Sequence, residues 1–248
     1  MTTTEATSLS EAELREMAAR GAADLEGASA TEVLRWTDEI FGGVRRPRSW
    51  ATCNYVVASS MQDALLVELA AQVRPGVPVV FLDTGYHFAE TIGTRDAVES
   101  VYDIHVINAT AEHTVAEQDA LLGKDLYARN PGECCRQRKV APLGKALQGY
   151  SAWVTGLRRV DAPTRANAPV VSFDEAFKLV KVSPLVDWTD RAVESYIAEH
   201  GVLVNPLIDE GYPSIGCAPC TVRPALGADP RSGRWQGTAK TECGLHAS

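Results

Sequence analysis

Residues 52–72 read TCNYVVASSMQDALLVELAAQ, a short apolar run followed by a longer amphipathic one. The first part predicts a strand over residues 52–58, and the second predicts a helix over residues 61–72. The same alternation continues along the chain, with strands predicted at 78–82, 103–107 and 152–156 and helices at 86–100, around 112–121 and near 135–147. Strands that alternate with helices are typical of a doubly wound α/β sheet whose strands are mostly parallel.

The two ends of the chain depart from this central pattern. Ser10-x-x-Glu13 is a capping box that predicts a first helix, and a second amphipathic helix is predicted over residues 31–41. After one more helix, at about 189–199, the sequence becomes rich in Gly and Pro. We therefore expect one domain overall, made of a helical segment (1–48), an α/β core (49–204) and an irregular C-terminal segment (205–248).

Charge and hydropathy exclude several classes of function. A formal net charge of −8 argues against a general nucleic-acid binder, because affinity for the phosphate backbone comes from an excess of Lys and Arg. The first residues carry acidic side chains and no apolar signal region, and no apolar run approaches the roughly 20 residues of a membrane span. We expect a cytoplasmic protein with no nucleic-acid or membrane partner, and the sequence is compatible with a homo-oligomer.

Three loops follow predicted strands and are candidates for ligand binding. Parallel sheets bind ligands beyond the carboxyl ends of their strands, where backbone N–H groups can hold anions. The loops are Ser59-Ser60-Met61-Gln62-Asp63, Asp83-Thr84-Gly85 and Gly156-Leu157-Arg158-Arg159. The first resembles a phosphate loop without the glycine-rich Walker pattern. Its serines either contact an anion or only cap the following helix.

Six cysteines are the strongest chemical signal in the sequence, and four of them form two pairs. The pairs are Cys134-Cys135 and Cys217-x-x-Cys220, which supply enough thiols for one tetrahedral zinc or one cubane iron-sulfur cluster. Adjacent helical residues point about 100° apart, which suits two corners of a cubane better than two corners of one zinc. Structural zinc, a thioredoxin-like redox pair and a vicinal disulfide are the alternatives. We expect Cys53, in the first strand, to be a small buried hydrophobe.

The last cysteine, Cys243, lies in Thr241-Glu242-Cys243-Gly244-Leu245-His246, near the end of the chain. Terminal residues are commonly poorly ordered and without a role. A thiol on such a segment is nevertheless able to visit an active site and then meet a partner, and His246 would favour its nucleophilic thiolate form. Position alone leaves both interpretations open.

Together these blocks resemble assimilatory adenosine 5′-phosphosulfate (APS) reductases. The resemblance runs from about residue 50 to the end and includes Leu82-Asp83-Thr84-Gly85, Thr155-Gly156-Leu157-Arg158-Arg159 and Arg231-x-x-Arg234. It implies an adenine-nucleotide α-hydrolase-like fold and the reduction of APS to sulfite and AMP with thioredoxin as reductant. It further implies that Cys134, Cys135, Cys217 and Cys220 ligate a [4Fe-4S] cluster and that Cys243 is the nucleophile.

The substrate would need cations around its phosphosulfate group. The candidates are Lys139, Arg158, Arg165, Arg231 and Arg234, with Ser59 and Ser60 donating from the first loop and His246 near the reacting thiol. By resemblance, the backbones of Leu82 and Gly156 would contact adenine. Lys139 lies four residues after Cys135, on the same face of the predicted helix, so we expect it between the cluster and the substrate.

Three rival functions share part of this pattern. A 3′-phosphoadenosine 5′-phosphosulfate (PAPS) reductase shares the fold and the terminal motif but lacks the two cysteine pairs. A nucleotide-binding module with structural zinc would leave Cys243 incidental. An ATP pyrophosphatase-type ligase has the same fold, but residues 59–63 depart from the glycine-rich loop of that group.

Overall fold

The computed structural model describes residues 9–43, 52–236, 238, 240, 244 and 245, and it contains one six-stranded sheet. The strands are β1 (Tyr55–Ser59), β2 (Val77–Asp83), β3 (Ile104–Thr110), β4 (Ala152–Thr155), β5 (Val171–Asp174) and β6 (Leu179–Val182). Their order in space is β3-β2-β1-β4-β6-β5, and every neighbouring pair is parallel except β5 with β6. The predicted α/β class with a mostly parallel sheet is confirmed.

The described helices alternate with the strands as the sequence predicts. They are α1 (Glu11–Asp24), α2 (Ala30–Phe41), α3 (Leu65–Val73), α4 (Ala89–Val101), α5 (Val115–Leu122), α6 (Leu126–Arg129), α7 (Pro131–Cys135), α8 (Ala141–Ala146) and α9 (Asp190–His200). The capping box at Ser10 is present, because the Ser10 side chain accepts from the N–H of Glu13 and the Glu13 carboxylate accepts from the N–H of Ser10. None of the helices in the described ranges is long and apolar enough to span a bilayer.

Apolar side chains cover both faces of the sheet. Successive side chains of a strand point to opposite faces, so Tyr55 and Val57 of β1 lie in a first core while Val56 lies in a second. The first core also takes in apolar residues of α1, α2, α3 and α9. The second core is smaller and is covered by α8 through Leu143. Helices on both faces make the sheet doubly wound. Apolar residues of α1 and α2 belong to the same core as those of the strands.

Two differences from the sequence prediction affect the site. The short strands β5 and β6 were not expected, because each has four residues and polar side chains such as Lys181 interrupt their pattern. The helix predicted over residues 61–72 begins only at Leu65. Met61 has a positive φ of 58° and Asp63 pairs with Val204 in an isolated bridge, so the chain is not helical between the strand and α3.

Candidate active site

Three of the predicted ligand loops lie side by side at the carboxyl edge of the sheet. β1 pairs with β2 on one side and with β4 on the other, with Ser59 opposite Phe81 and Ala58 opposite Thr155. Parallel strands end at the same edge, so the residues after them form one continuous rim. The rim brings together four predicted substrate contacts, which are Ser59, Ser60, Leu82 and Gly156.

The serines of the first loop do not cap α3, so that interpretation is wrong. The Ser59 hydroxyl accepts from the N–H of Met61 at 3.2 Å, and Ser60 is exposed. The N–H of Leu65 donates instead to the carboxylate of Asp63, at 3.1 Å. Burial raises the pKa of this Asp63 carboxyl, while the nearby Arg158 opposes the shift. The left-handed Met61 separates the serines from the helix and leaves Ser60 facing the rim.

Leu82 is supported by a histidine that the sequence did not single out. Nε2 of His87 lies 2.8 Å from the Leu82 carbonyl oxygen, which can only accept, so Nε2 carries the proton. Burial is the main cause of a lowered pKa at His87, and Lys139 lowers it further. A neutral His87 therefore holds the end of β2, and its buried Nδ1 finds no hydrogen-bond partner among the residues that the structure describes.

All four paired cysteines line one pocket, although 81 residues separate the two motifs. Cys134 and Cys135 are the last residues of α7. Cys217 directly precedes a short 3₁₀ turn, Ala218–Cys220, and Cys220 is its last residue. The other lining residues are Tyr86, Tyr127, Pro131, Arg138, Lys139, Arg234 and Trp235. Of the four thiols, three are buried and Cys220 is partly exposed, and none forms a disulfide. The fold thus joins the two predicted pairs into one sulfur-rich site.

The four thiols are close enough to affect one another. Burial raises the pKa of Cys134 to about 12, and the neighbouring thiols Cys135, Cys217 and Cys220 add to the shift. Burial, with Cys217 and Cys135 as neighbours, raises the pKa of Cys220 to about 11, against the opposing charges of Lys139 and Arg234. Within the described part of the chain, no group of three or more His, Cys, Asp or Glu is arranged to hold one metal ion.

Backbone hydrogen bonds fix the Cys217–Cys220 turn against the rest of the site. The N–H of Ala218 donates to the Tyr86 carbonyl at 2.7 Å, and the N–H of Trp235 donates to the Cys220 carbonyl at 3.0 Å. The hydroxyl of Thr84, which is fully buried, lies 3.3 Å from Sγ of Cys217. This irregular segment is therefore ordered by contacts with the loop after β2, which is how a Gly- and Pro-rich stretch reaches the site.

The helix predicted near 135–147 is present but is not regular. Between α7 and α8 the chain forms a π-helical turn, Arg136–Val140, in which the N–H of Ala141 donates to the Arg136 carbonyl. π-Helical turns are rare and occur often at functional sites. Because the turn is wider than an α-helical one, the expectation that residues four apart, such as Cys135 and Lys139, share a helix face does not apply directly. Lys139 nevertheless lines the same pocket as Cys135, and its position between a cluster and the substrate stays a prediction.

Arg138 is a structural residue of the site that the sequence did not identify. Its buried guanidinium donates to the Thr84 carbonyl, to the His113 carbonyl and to Oε1 of Gln118. It also lies over the Tyr86 ring, 5.2 Å from the centroid. Arg138 therefore ties α7 and the π-helical turn to the loop after β2. Its only signal in the sequence was its position between the basic residues Arg136 and Lys139.

Arg234 reaches the pocket by passing directly over Gly216. A Cβ at Gly216 would lie 2.0 Å from Nη2 of Arg234, so only glycine leaves room for this side chain. Nη1 of Arg234 donates to the Ile215 carbonyl at 3.1 Å, and the guanidinium stacks on Trp235 at 4.7 Å. Arg231 precedes it in the same segment but does not line the pocket, and its N–H donates to Asp229.

The remaining predicted arginines, Arg158 and Arg165, lie in a separate group together with Asp161. We call these three residues the arginine cluster. Asp161 pairs with Arg158 through its Oδ1 at 2.8 Å and with Arg165 through its Oδ2 at 3.2 Å. Arg158 also pairs with the exposed Asp190 at 2.8 Å. Nη1 of Arg158 is buried and has no hydrogen-bond partner in the described part of the chain. Burying an unpaired charged donor is costly, so this atom is suited to receive an anion.

Two predicted site residues, Cys243 and His246, lie outside the described residues. Between them, Gly244 and Leu245 are described, and Leu245 packs against the second core.

A mostly parallel sheet, with its candidate ligand loops gathered at one edge beside a cysteine pocket, places the chain in the adenine-nucleotide α-hydrolase-like class. A solved structure of a phosphoadenylyl-sulfate reductase from Candida auris, with phosphate, matches at a TM-score of 0.68 and 26% identity over 88% of this chain and 100% of that one. FMN adenylyltransferase from Candida glabrata matches at 0.57 and 12% identity over 89% and 69%, which shows the fold alone.

The family is shown by sequence as well. The model of the phosphoadenosine phosphosulfate reductase domain matches residues 52–223. Proteins named adenosine 5′-phosphosulfate reductase are 75% identical in Mycobacterium tuberculosis, over 98% of this chain and 99% of the relative, and 69% identical in Mycolicibacterium smegmatis, over 99% and 100%. The chain belongs to the phosphoadenosine phosphosulfate reductase family, which confirms the resemblance seen in the sequence.

Proposed function

We propose that this chain reduces APS to sulfite and AMP in cytoplasmic sulfate assimilation, toward cysteine. The observation that carries the proposal is the meeting of both cysteine pairs with Lys139 and Arg234 in one pocket next to the nucleotide rim. Relatives that carry the name of this activity match nearly the full length of the chain, which supports the same substrate. The activity is that of an oxidoreductase acting on a sulfur group.

The first step is sulfonate transfer to Cys243. Its thiolate forms a bond to the sulfur of the sulfate group as the bond between that sulfur and the bridging oxygen breaks. AMP leaves with the electron pair on its phosphate, and the enzyme holds an S-sulfocysteine. Dividing the reaction in this way is ordinary covalent catalysis, and His246, three residues after Cys243 in the sequence, would favour the thiolate form of Cys243.

The cations of the site would hold the phosphosulfate and offset the charge that develops on the leaving phosphate. Arg158 is the best supported of them, because its Nη1 is a buried donor with no hydrogen-bond partner among the described residues, in the loop after β4. Asp161 fixes the planes of Arg158 and Arg165, which suits bidentate contact with oxyanions. Ser60 is exposed on the first loop, Lys139 and Arg234 lie on the cysteine side, and Arg231 would contribute from the segment before Arg234. Leu82 and Gly156 would contact adenine through their backbones.

The residues of the pocket fit a [4Fe-4S] cluster. Cys134, Cys135, Cys217 and Cys220 would hold it through their thiols, which form no disulfide, and ligands that bind separate irons need not share the close spacing of a single zinc. When bound, the cluster would order the pocket and add its charge to the site. The sulfur transfer itself moves electrons in pairs and is carried by Cys243.

The second step is reductive release by thioredoxin. One thioredoxin thiolate attacks Sγ of Cys243, and sulfite leaves with the electron pair of the S–S bond. The second thioredoxin thiol resolves the mixed disulfide, which returns Cys243 as a thiolate and leaves oxidised thioredoxin. Two electrons are transferred in total, all of them from thioredoxin.

Reduction of PAPS is the second candidate, since the family model and the Candida auris structure carry that name. The two cysteine pairs favour the unphosphorylated substrate. Measuring kcat/KM with both nucleotides separates the two, and we expect a strong preference for APS. A preference for PAPS would assign the chain to the rival reaction.

Intact mass after mixing with APS, without thioredoxin, tests the covalent step. We expect an adduct of about 80 Da in the wild-type protein and none in Cys243→Ser. The variant should retain its iron content, because Cys243 is not among the proposed cluster ligands. An unmodified wild-type protein under conditions that support turnover would refute the mechanism.

A further inference from the structure

The loop after β1 is attached to the segment that follows α9. The N–H of Ala64 donates to the Leu203 carbonyl at 2.8 Å, and the N–H of Asn205 donates to the Gln62 carbonyl at 3.0 Å. These two bonds enclose an isolated antiparallel bridge, so the two segments pair as a short antiparallel ladder. The loop that carries the two candidate serines is therefore held by the beginning of the C-terminal segment.

Asn205 completes this attachment from inside the protein. It is fully buried, and its Nδ2 donates to the Met61 carbonyl at 3.2 Å and to the Thr91 hydroxyl at 3.1 Å. Its Oδ1 accepts from the N–H of Leu207 at 3.1 Å. Both donors and the acceptor of the amide are thus used. Met61 is the left-handed residue directly after Ser60, so Asn205 holds the backbone that sets the direction of Ser60.

Gln62 extends the contact to the turn before the second cysteine pair. Its Oε1 accepts from the N–H of Ile215 at 3.0 Å, and its Nε2 donates to the Pro213 carbonyl at 3.4 Å. The Ile215 N–H can only donate and the Pro213 carbonyl can only accept, so the orientation of the amide follows from its partners. Ile215 lies two residues before Cys217. The side chain of Gln62 therefore connects the loop after β1 to the cysteine side of the site.

Arg234 contacts the same turn. Its Nη1 lies 3.1 Å from the Ile215 carbonyl and 3.3 Å from the Ser214 hydroxyl. Ile215 thus binds Gln62 through its N–H and Arg234 through its carbonyl. An anion held by Ser60 from the rim and by Arg234 from the cysteine side needs both groups at a fixed separation, because a displacement of about 1 Å removes much of the benefit of an oriented contact.

We propose that Gln62 is a positioning residue, which sets the separation between Ser60 and Arg234 and thereby the affinity for APS. The inference rests on the proposed function, which supplies the two anion contacts. Asn205 supports Gln62, because it fixes the backbone carbonyl of Met61 on one side and its own N–H binds the Gln62 carbonyl. Groups that are held in place before binding lose less entropy when the ligand arrives.

The test measures binding of APS to the full-length, iron-loaded protein in the Cys243→Ser background, in which the proposed adduct cannot form. In Gln62→Met we expect Kd for APS to rise about tenfold, because methionine keeps the length of the side chain and removes both hydrogen bonds. Gln62→Asn keeps the amide on a shorter side chain and should behave similarly. Gln72→Met is the matched control, since Gln72 is an exposed residue of α3 that donates to Glu68, and Kd should change less than about twofold.

A double-mutant cycle separates positioning from general stability. Ser60→Ala alone should weaken binding of APS about fivefold, because one contact is lost. In the Gln62→Met background the same change should weaken it less than about twofold, since the hydroxyl is already displaced. A residue that acted only on stability would leave the effect of Ser60→Ala unchanged. Iron content and melting temperature should remain those of the parent protein, because other backbone hydrogen bonds hold the Cys217–Cys220 turn.

The outcomes distinguish this inference from the proposed function. If the parent protein with Gln62 intact does not bind APS, the proposed function fails. If the parent binds APS and Gln62→Met binds it equally tightly, or if Ser60→Ala has the same effect in both backgrounds, only the positioning role fails. If Gln62→Met loses iron or melts at a clearly lower temperature, Gln62 is a structural residue of the cysteine pocket and the inference is overturned.

Discussion

The cysteine pocket and the arginine cluster both lie at the carboxyl end of the sheet, but long-range contacts form the first and local contacts form the second. The pocket joins Cys134 and Cys135 to Cys217 and Cys220, and long-range backbone hydrogen bonds hold the second pair in place. The arginine cluster is local, since Arg158, Asp161 and Arg165 lie within eight consecutive residues after β4. The pocket therefore depends on the whole fold, whereas the cluster depends on one connection. We expect them to fail separately when mutated.

The largest effect should follow from removing a cysteine of the pocket. In Cys217→Ser we expect loss of iron and a fall in kcat/KM of more than about a hundredfold, because metal binding and ordering of the site are linked. Iron analysis, visible absorption and kinetics check this. Cys53→Ser is the matched control, because Cys53 is buried outside the pocket, where its thiol donates to the Tyr55 carbonyl. Full iron content in Cys217→Ser would contradict the ligand assignment.

A smaller and different effect should follow from changing the arginine cluster. In Arg158→Lys we expect KM for APS to rise about tenfold with iron content unchanged, because lysine keeps the charge but loses the planar fork. The neighbouring Arg159 provides the control. It pairs with Glu26 and Asp187, away from the rim, and Arg159→Lys should change KM less than about twofold. Loss of iron in Arg158→Lys would show that the two regions are not separable.

The sequence predicted most of the fold because its signals were local. The apolar run of β1 and the capping box at Ser10 each depend on a few adjacent residues, and both are present. The strands β5 and β6 were missed because tertiary pairing, and not a distinct apolar run, makes them strands. The start of α3 was placed too early, since no sequence rule indicates a left-handed Met61.

The residues of the site also differ in whether a local sequence signal or only the fold reveals them. Motif residues such as Cys217 and Lys139 were identified from the sequence, and the structure places both in one pocket. Arg138 was missed because it acts through partners that only the fold brings near, whereas Asp161 and His87 have partners within five residues but belong to no recognised motif. Arg138 is the clearest case, since its hydrogen-bond acceptors lie 20 to 54 residues earlier in the chain.

The most direct test of the account is to locate the sulfonate and then to release it. After a single turnover with APS, trypsin cleavage following Lys240 yields residues 241–248, which contain Cys243 as their only cysteine. We predict that an adduct of about 80 Da lies on this peptide, and that reduced thioredoxin removes it with formation of one equivalent of sulfite. An adduct on a peptide that carries Cys134, Cys135, Cys217 or Cys220, or sulfite formed with no adduct on Cys243, would contradict the account.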